Sequence, residues 1–171
     1  MKMSSSIHRA VCPGSFDPVT MGHVDIFRRA ARQFDEVTVL VTGNPNKTSG
    51  LFTVDERLEL LRESCAGIAN LRVDWWSGLL VDYAKEHGIS VIVKGLRSSL
   101  DYEYEVPMAQ MNRNLSGVDT MFLMTDPKYG HVSSTLCKEV IRFGGDIKDV
   151  LPAVVEQAIK RKYAPDELES E

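Results

Sequence analysis

Residues 12–23 read Cys12-Pro13-Gly14-Ser15-Phe16-Asp17-Pro18-Val19-Thr20-Met21-Gly22-His23. A β-rich run over residues 8–12 stops at the Pro-Gly break, a short polar loop follows, and Gly22 and His23 open a helix. This sets a histidine and a row of free backbone N–H groups at one end of a strand, where a phosphate chain can lie. Taken alone, a histidine in a first helical turn is more often a surface or capping residue. Its place in Thr-x-Gly-His, after a strand and Pro-Gly-Ser-Phe-Asp-Pro, favours a functional histidine.

Working outward, four more β-rich runs (36–42, 71–75, 90–94 and 120–124) alternate with helical patterns at 22–34, 54–66, 79–86, 102–113, 134–143 and 152–163. Val24, Phe27, Ala31 and Phe34 recur at helical spacing. Thr53-Val54-Asp55-Glu56 is a capping box, and Gly88 and Gly144-Gly145 fall where helix ends want a positive φ. Pro152 suits the first turn of the last helix. Val39-Leu40-Val41 and residues 89–93 are nearly continuous apolar runs, as expected of strands covered on both faces. Strict β-α alternation predicts an α/β fold: one Rossmann-like, doubly wound domain with a five-stranded parallel sheet and flanking helices. The domain is expected over residues 8–163, between a flexible N-terminal extension (1–7) and a flexible acidic tail (164–171).

At 171 residues, with 43% hydrophobic and 26% charged residues, the chain has the composition of a soluble globular protein. A formal net charge of -4 supplies no broad basic face and argues against a nucleic-acid partner. Cys12, Cys65 and Cys137 are odd in number and lack Cys-x-x-Cys spacing, which fits reduced thiols in a cytoplasmic protein. No apolar run approaches the roughly 20 residues of a membrane span, and residues 1–6 have no signal-peptide core.

In such a sheet, ligands bind beyond the carboxyl ends of the strands, where strand order reverses. After the first strand come Ser15, Phe16 and His23; after the second, Asn44-Pro45-Asn46-Lys47; after the fourth, Lys94-Gly95-Leu96-Arg97. After the fifth come Lys128, Tyr129, Gly130 and His131, leading into Val132-Ser133-Ser134-Thr135. Lys47 alone could be a solvated lysine. Lys94 ends an apolar strand, where burial would demand an anionic partner, and Arg97 follows a glycine loop. Ser133-Ser134-Thr135 reads as an N-cap cluster or, with Lys138 one turn on, a phosphate cradle. Tyr102, Tyr104, Met108 and Met111 read as core or interface. No Walker loop, Gly-x-Gly-x-x-Gly turn, His-Glu-x-x-His or nucleophile elbow is present.

Thr-x-Gly-His in this context resembles the nucleotidyltransferase superfamily. Pro13 to His23, Asn44 to Lys47, Val93 to Arg97, Asp101 to Glu105, Ala109 to Arg113 and Val132 to Val140 together resemble bacterial phosphopantetheine adenylyltransferases. The resemblance implies direct in-line transfer of AMP from ATP to 4′-phosphopantetheine, giving 3′-dephospho-CoA and pyrophosphate in coenzyme A biosynthesis. Mg2+ would be carried mainly by the ATP phosphates, and the assembly would be a homohexamer. By motif, Ser15, Phe16, His23, Gly95, Leu96, Arg97, Glu105 and the run Tyr129, Gly130, His131, Val132, Ser133, Ser134 and Thr135 would bind ATP. Ser15, Lys47, Leu80, Lys94, Met111 and Asn112 would bind the acceptor, and His23, Lys47, Lys94 and Arg97 would be catalytic. Rival readings are another adenylyl- or cytidylyltransferase of the superfamily, or a non-catalytic nucleotide or CoA sensor. The paired tryptophans Trp75-Trp76 suggest a subunit contact or a cover for the substrate arm.

Overall fold

The computed structural model describes residues 7–43 and 50–164. Five strands, β1 (Arg9–Gly14), β2 (Glu36–Thr42), β3 (Leu71–Trp76), β4 (Val91–Leu96) and β5 (Asp119–Met124), pair in the order β3-β2-β1-β4-β5. Every pairing is parallel. Helices α1 (Met21–Ala31), α2 (Val54–Ser64), α3 (Leu80–Glu86), α4 (Ser99–Ser116), α5 (Ser134–Arg142) and α6 (Ala153–Tyr163) flank it. The chain builds outward from β1 to β3, then crosses to β4 on the other side of β1. This is the Rossmann-like arrangement expected from the alternation, with its switch point between β1 and β4.

β1 runs two residues past its expected end at Cys12, through the Pro-Gly pair, because β2 continues to pair with it, Pro13 opposite Leu40 and Gly14 opposite Val41. Its pairing with β4 ends earlier, at Val11 opposite Ile92. Beyond that point the two strands part.

Side chains alternate across the sheet and build two cores. On one face Ala10, Cys12, Val39 and Val93 meet Val24 and Phe27 of α1, Leu61 of α2 and Ile159 of α6. On the other, Val11, Leu40 and Ile92 meet Val81, Tyr83 and Ala84 of α3. Each fully buried aliphatic or aromatic side chain contributes about 1.5–3 kcal/mol. Cys12, Cys65 and Cys137 are buried free thiols.

The Thr53 cap forms as expected, with Glu56 N–H donating to Thr53 Oγ1 at 3.2 Å and Thr53 N–H to Glu56 Oε2 at 2.7 Å. Gly88 and Gly144 adopt positive φ, whereas Gly145 does not, and Pro152 sits at the N-cap of α6, ahead of its first turn. Helix α4 exceeds the expected 102–113 at both ends, capped by Ser98 and closed by Gly117 at φ +77°. It continues through Pro107 although the proline removes one intrahelical donor. Only Asn112 of α4 is buried; Tyr102, Tyr104, Met108 and Met111 are exposed and join neither core formed among the described residues. The expected terminal extensions fall almost wholly on residues 1–6 and 165–171, and Asn44 to Lys47 on 44–49, all outside the described residues.

Candidate active site

A cleft of about 410 Å³ opens where β1 and β4 part, floored by Cys12, Pro13, Gly14, Val93, Lys94 and Gly95. Ser15, Phe16, Thr20 and His23 form one wall, and Arg97, Asp101 and Glu105 another. Tyr129 and the run from Val132 to Thr135, at the start of α5, complete it. Three residues expected to be catalytic, His23, Lys94 and Arg97, therefore face one space, although they come from separate stretches of chain.

The Thr-x-Gly-His spacing has a physical basis. Thr20 is the N-cap of α1 and His23 stands three residues on, so the two form a capping box with histidine in the place usually held by glutamate. His23 N–H donates to Thr20 Oγ1 at 3.4 Å, and Thr20 N–H donates to His23 Nδ1 at 3.0 Å. The Thr20 hydroxyl lies 3.1 Å from the same nitrogen. Because Nδ1 accepts, the neutral ring carries its proton on Nε2. Burial, then the Arg97 and Lys94 charges, push the His23 pKa down to about 4. The imidazole is thus a fixed, neutral hydrogen-bond donor at pH 7.

Phe16 holds that ring from the side. Its ring lies edge-on to His23 at 5.2 Å and to Phe27 at 5.3 Å between centroids. Its backbone takes φ 45°, a strained region for a bulky residue. A Cβ on Gly14 would come within 2.7 Å of the Phe16 ring, which is why only glycine fits beneath it. Burial raises the Cys12 thiol on the cleft floor to about 12, so it offers no thiolate nucleophile.

Lys94 does not end its strand as expected, because β4 continues to Leu96 against β5, but its Nζ does have an anionic partner, Glu105 Oε1 at 3.1 Å. Arg97 is held by Asp101 and by the Val132 carbonyl. At the α5 N-terminus, Ser133 Oγ caps the helix through Leu136 N–H at 3.1 Å, and Ser134 Oγ donates to the Pro18 carbonyl at 2.7 Å. Ser133, Ser134 and Thr135 thus serve as a capping cluster and a cleft wall at once. Lys138 does not join them. Its Nζ lies 3.2 Å from Asp17 Oδ2, which corrects the expectation that it belongs to a phosphate cradle.

Asp17 is the centre of a buried knot. Its carboxylate accepts from Leu51 N–H at 3.0 Å and Phe52 N–H at 2.9 Å, and Arg57 Nε lies 3.5 Å away. Arg57 also donates to the carbonyls of Phe52 and Ser15. Burial alone would raise the Asp17 pKa, but the Phe52 and Leu51 N–H groups, with Lys138 and Arg57, outweigh it and hold the carboxyl below its ordinary value. The loop after β1 is thereby tied to the segment before α2 and to α5.

The remaining expected site residues lie elsewhere. Lys47 falls outside the described residues. Leu96, Gly130 and His131 flank the cleft without lining it. Leu80 packs with Trp76 against the α3 core, and Met111 and Asn112 lie on α4 away from the cleft lining. Trp76 donates from Nε1 to the Leu79 carbonyl at 2.9 Å and packs edge-on to Tyr83, while Trp75 is exposed. Sequence reasoning missed Asp17, Thr20, Asp101 and Thr125. The Thr20–His23 and Arg97–Asp101 spacings, i,i+3 and i,i+4, were the available signals for two of them, Thr20 and Asp101.

Among the described residues no group of three acidic, histidine or cysteine side chains is placed to hold a metal, and no helix is long and apolar enough to cross a membrane.

The sequence model of the Cytidylyltransferase-like family matches residues 11–140, a span that includes the Thr20–His23 box, Lys94, Arg97 and the α5 N-terminus. The chain is 70% identical over 155 residues to the phosphopantetheine adenylyltransferase of Corynebacterium efficiens, covering 91% of this chain and 98% of that one. It is 69% identical over 156 residues, with the same coverage, to the phosphopantetheine adenylyltransferases of Corynebacterium glutamicum and Corynebacterium diphtheriae. Family match and site geometry agree: this chain belongs to the phosphopantetheine adenylyltransferases, a family of nucleotidyltransferases.

Proposed function

We propose that the chain transfers AMP from ATP to 4′-phosphopantetheine, giving 3′-dephospho-CoA and pyrophosphate in coenzyme A biosynthesis. The observation that carries this reading is the convergence of neutral His23, Lys94, Arg97 and the α5 N-terminus on one cleft at the switch point. An acceptor phosphate oxygen attacks the α-phosphorus of ATP, the bond from that phosphorus to the bridging oxygen breaks, and pyrophosphate departs with the electron pair. No proton has to leave the attacking oxygen, so no protein base or nucleophile is required. The work of the protein is to hold two anions together and to meet charge on the pentavalent centre.

In this reading His23 Nε2–H donates to an oxygen of the transferring phosphoryl group. Lys94, released from Glu105, and Lys47 bind the acceptor phosphate and the transferring group. Arg97 and the N–H groups of the first α5 turn bind the β- and γ-phosphates. Ser15, Phe16, Gly95, Leu96, Glu105, Tyr129, Gly130, His131 and Val132 surround the nucleotide. Leu80, Met111 and Asn112 meet the pantetheine arm.

The donor set fits Mg2+ carried on substrate phosphates. Of the two carboxylates lining the cleft, Asp101 is engaged by Arg97 and Glu105 pairs with Lys94 until the substrates bind, and magnesium needs few protein ligands when phosphates and water supply the rest. When bound, the ion would neutralise phosphate charge. The reading extends to a cytoplasmic homohexamer. Reduced, buried cysteines favour the compartment, and the exposed apolar side chains Leu100, Tyr104, Met108, Met111 and Leu115 of α4 favour self-association.

The test is to mix the protein with Mg-ATP or Mg-CTP and a panel of phosphorylated acceptors. Pyrophosphate release that needs both ATP and 4′-phosphopantetheine is expected. Release with another acceptor or with CTP alone would overturn the assignment.

A further inference from the structure

Asp101 lines the cleft, yet a carboxylate beside a polyphosphate repels it. Its contacts explain its presence. Arg97 follows β4, and its backbone N–H donates to Asp101 Oδ2 at 2.9 Å. From the side chain, Nε donates to Oδ2 at 3.1 Å and one terminal nitrogen to Oδ1 at 3.2 Å. The other terminal nitrogen donates to the Val132 carbonyl at 2.9 Å. Both Asp101 oxygens are therefore occupied by one residue. Asp101 is itself fixed, because its N–H donates to Ser98 Oγ, the cap of α4, at 3.2 Å.

Arg97 is thus gripped from two sides, by the first turn of α4 and by the strand-to-helix connection that leads into α5. A guanidinium has five N–H donors. Three are used here, which leaves one on each terminal nitrogen for a ligand. A bare i,i+4 pair on an exposed helix would not have this form, since Arg97 precedes the helix and its backbone joins the contact. We infer that Asp101 is a positioning residue: it acts through Arg97, aiming the two remaining N–H groups at the nucleotide phosphates and lowering the freedom the long side chain would otherwise lose on binding. This rests on the reading that Arg97 meets ATP.

The experiment is a double-mutant cycle on the intact enzyme, following kcat/KM for Mg-ATP in R97A, D101N and the pair, with melting curves alongside. Asparagine keeps the shape of Asp101 but turns an amide N–H2 toward the Arg97 donors. D101N should lower kcat/KM by about 100-fold, the cost of a misplaced reacting group. D101E, which restores the charge on a longer arm, should recover part of the loss. In the R97A background D101N should change kcat/KM by less than about 2-fold, because sites that act as a unit are non-additive. An equal loss in both backgrounds, or a D101N enzyme with wild-type kcat/KM beside an impaired R97A enzyme, would overturn the inference alone. Wild-type kcat/KM in R97A would overturn the assigned role of Arg97 and this inference with it. Should D101N prove unstable, D101E is run through the same cycle and must show the same vanishing effect.

Discussion

Asp17 and Asp101 are both carboxylates that hold arginine beside the cleft, but they do so in different surroundings. Asp17 has a side chain only 11% exposed and gathers Leu51, Phe52, Arg57 and Lys138 from three segments. Asp101 is 25% exposed at its side chain, lines the cleft, and spends both oxygens on Arg97. The polar side chains beside the cleft therefore divide into two groups. Arg57 and Lys138 are consumed in fixing the walls, whereas Arg97, Lys94 and neutral His23 face the space between them.

Removing the buried carboxylate should be the most disruptive change. Asp17→Ala leaves Arg57 and Lys138 without their counter-ion and two backbone N–H groups without an acceptor. A loss of about 3–5 kcal/mol is expected, read from denaturant midpoints. A midpoint equal to wild type would break the comparison. His23→Ala, on the cleft side, should behave in the opposite way. The fold stays intact while kcat falls on the order of 100- to 1000-fold, the usual cost of one preorganised donor. Wild-type turnover in this variant would remove His23 from the mechanism.

Acid separates the two regions by pH window. Asp17 has a folded pKa below its unfolded value of about 3.9, so its stabilisation is present above that value and is lost as pH falls through the lower, folded one. His23 titrates near 4 when folded and near 6.5 when unfolded, so the unfolded state binds the extra proton between those values. Stability should therefore fall as pH drops from 6.5 toward 4. His23→Ala should flatten that slope and leave the loss that Asp17 causes at lower pH in place. An unchanged slope between 6.5 and 4 in the variant would show that His23 is not held neutral. The smallest expected effect is on the cap itself. Thr20→Ala should cost about 1 kcal/mol of stability and lower turnover by freeing the His23 ring, and Thr20→Ser should restore both. Full turnover in Thr20→Ala would show that the ring needs no anchor.

The sheet, its helices and the place of the cleft were legible in the sequence because each rests on periodic burial and on turn chemistry, which leave local marks. The apolar runs of β2 and β4 and the Thr53–Glu56 cap formed as read. The length of β1 was not, since its last residues are held by β2 rather than by their own composition. Within the site, the cations were visible as residue types, but which of them would be consumed by carboxylates was not. Lys138 and Lys94 look alike in sequence and each pairs with a carboxylate, at 3.2 Å to Asp17 and 3.1 Å to Glu105, and only their place in the fold shows that Lys94 and its partner line the cleft while Lys138 and Asp17 do not. Tyr102, Tyr104, Met108 and Met111 of α4 read as core or interface for a related reason: helical spacing shows that a face is apolar, not what covers it, and their exposure removes only the core alternative.

In the proposed mechanism, positioning and charge alone move the adenylyl group, without a bond between phosphorus and protein. The stereochemical course at the α-phosphorus, followed with ATP made chiral there, tests it most directly. A single in-line displacement predicts inversion of configuration in the 3′-dephospho-CoA formed. Retention would mean two displacements through a covalent enzyme intermediate and would contradict the claim.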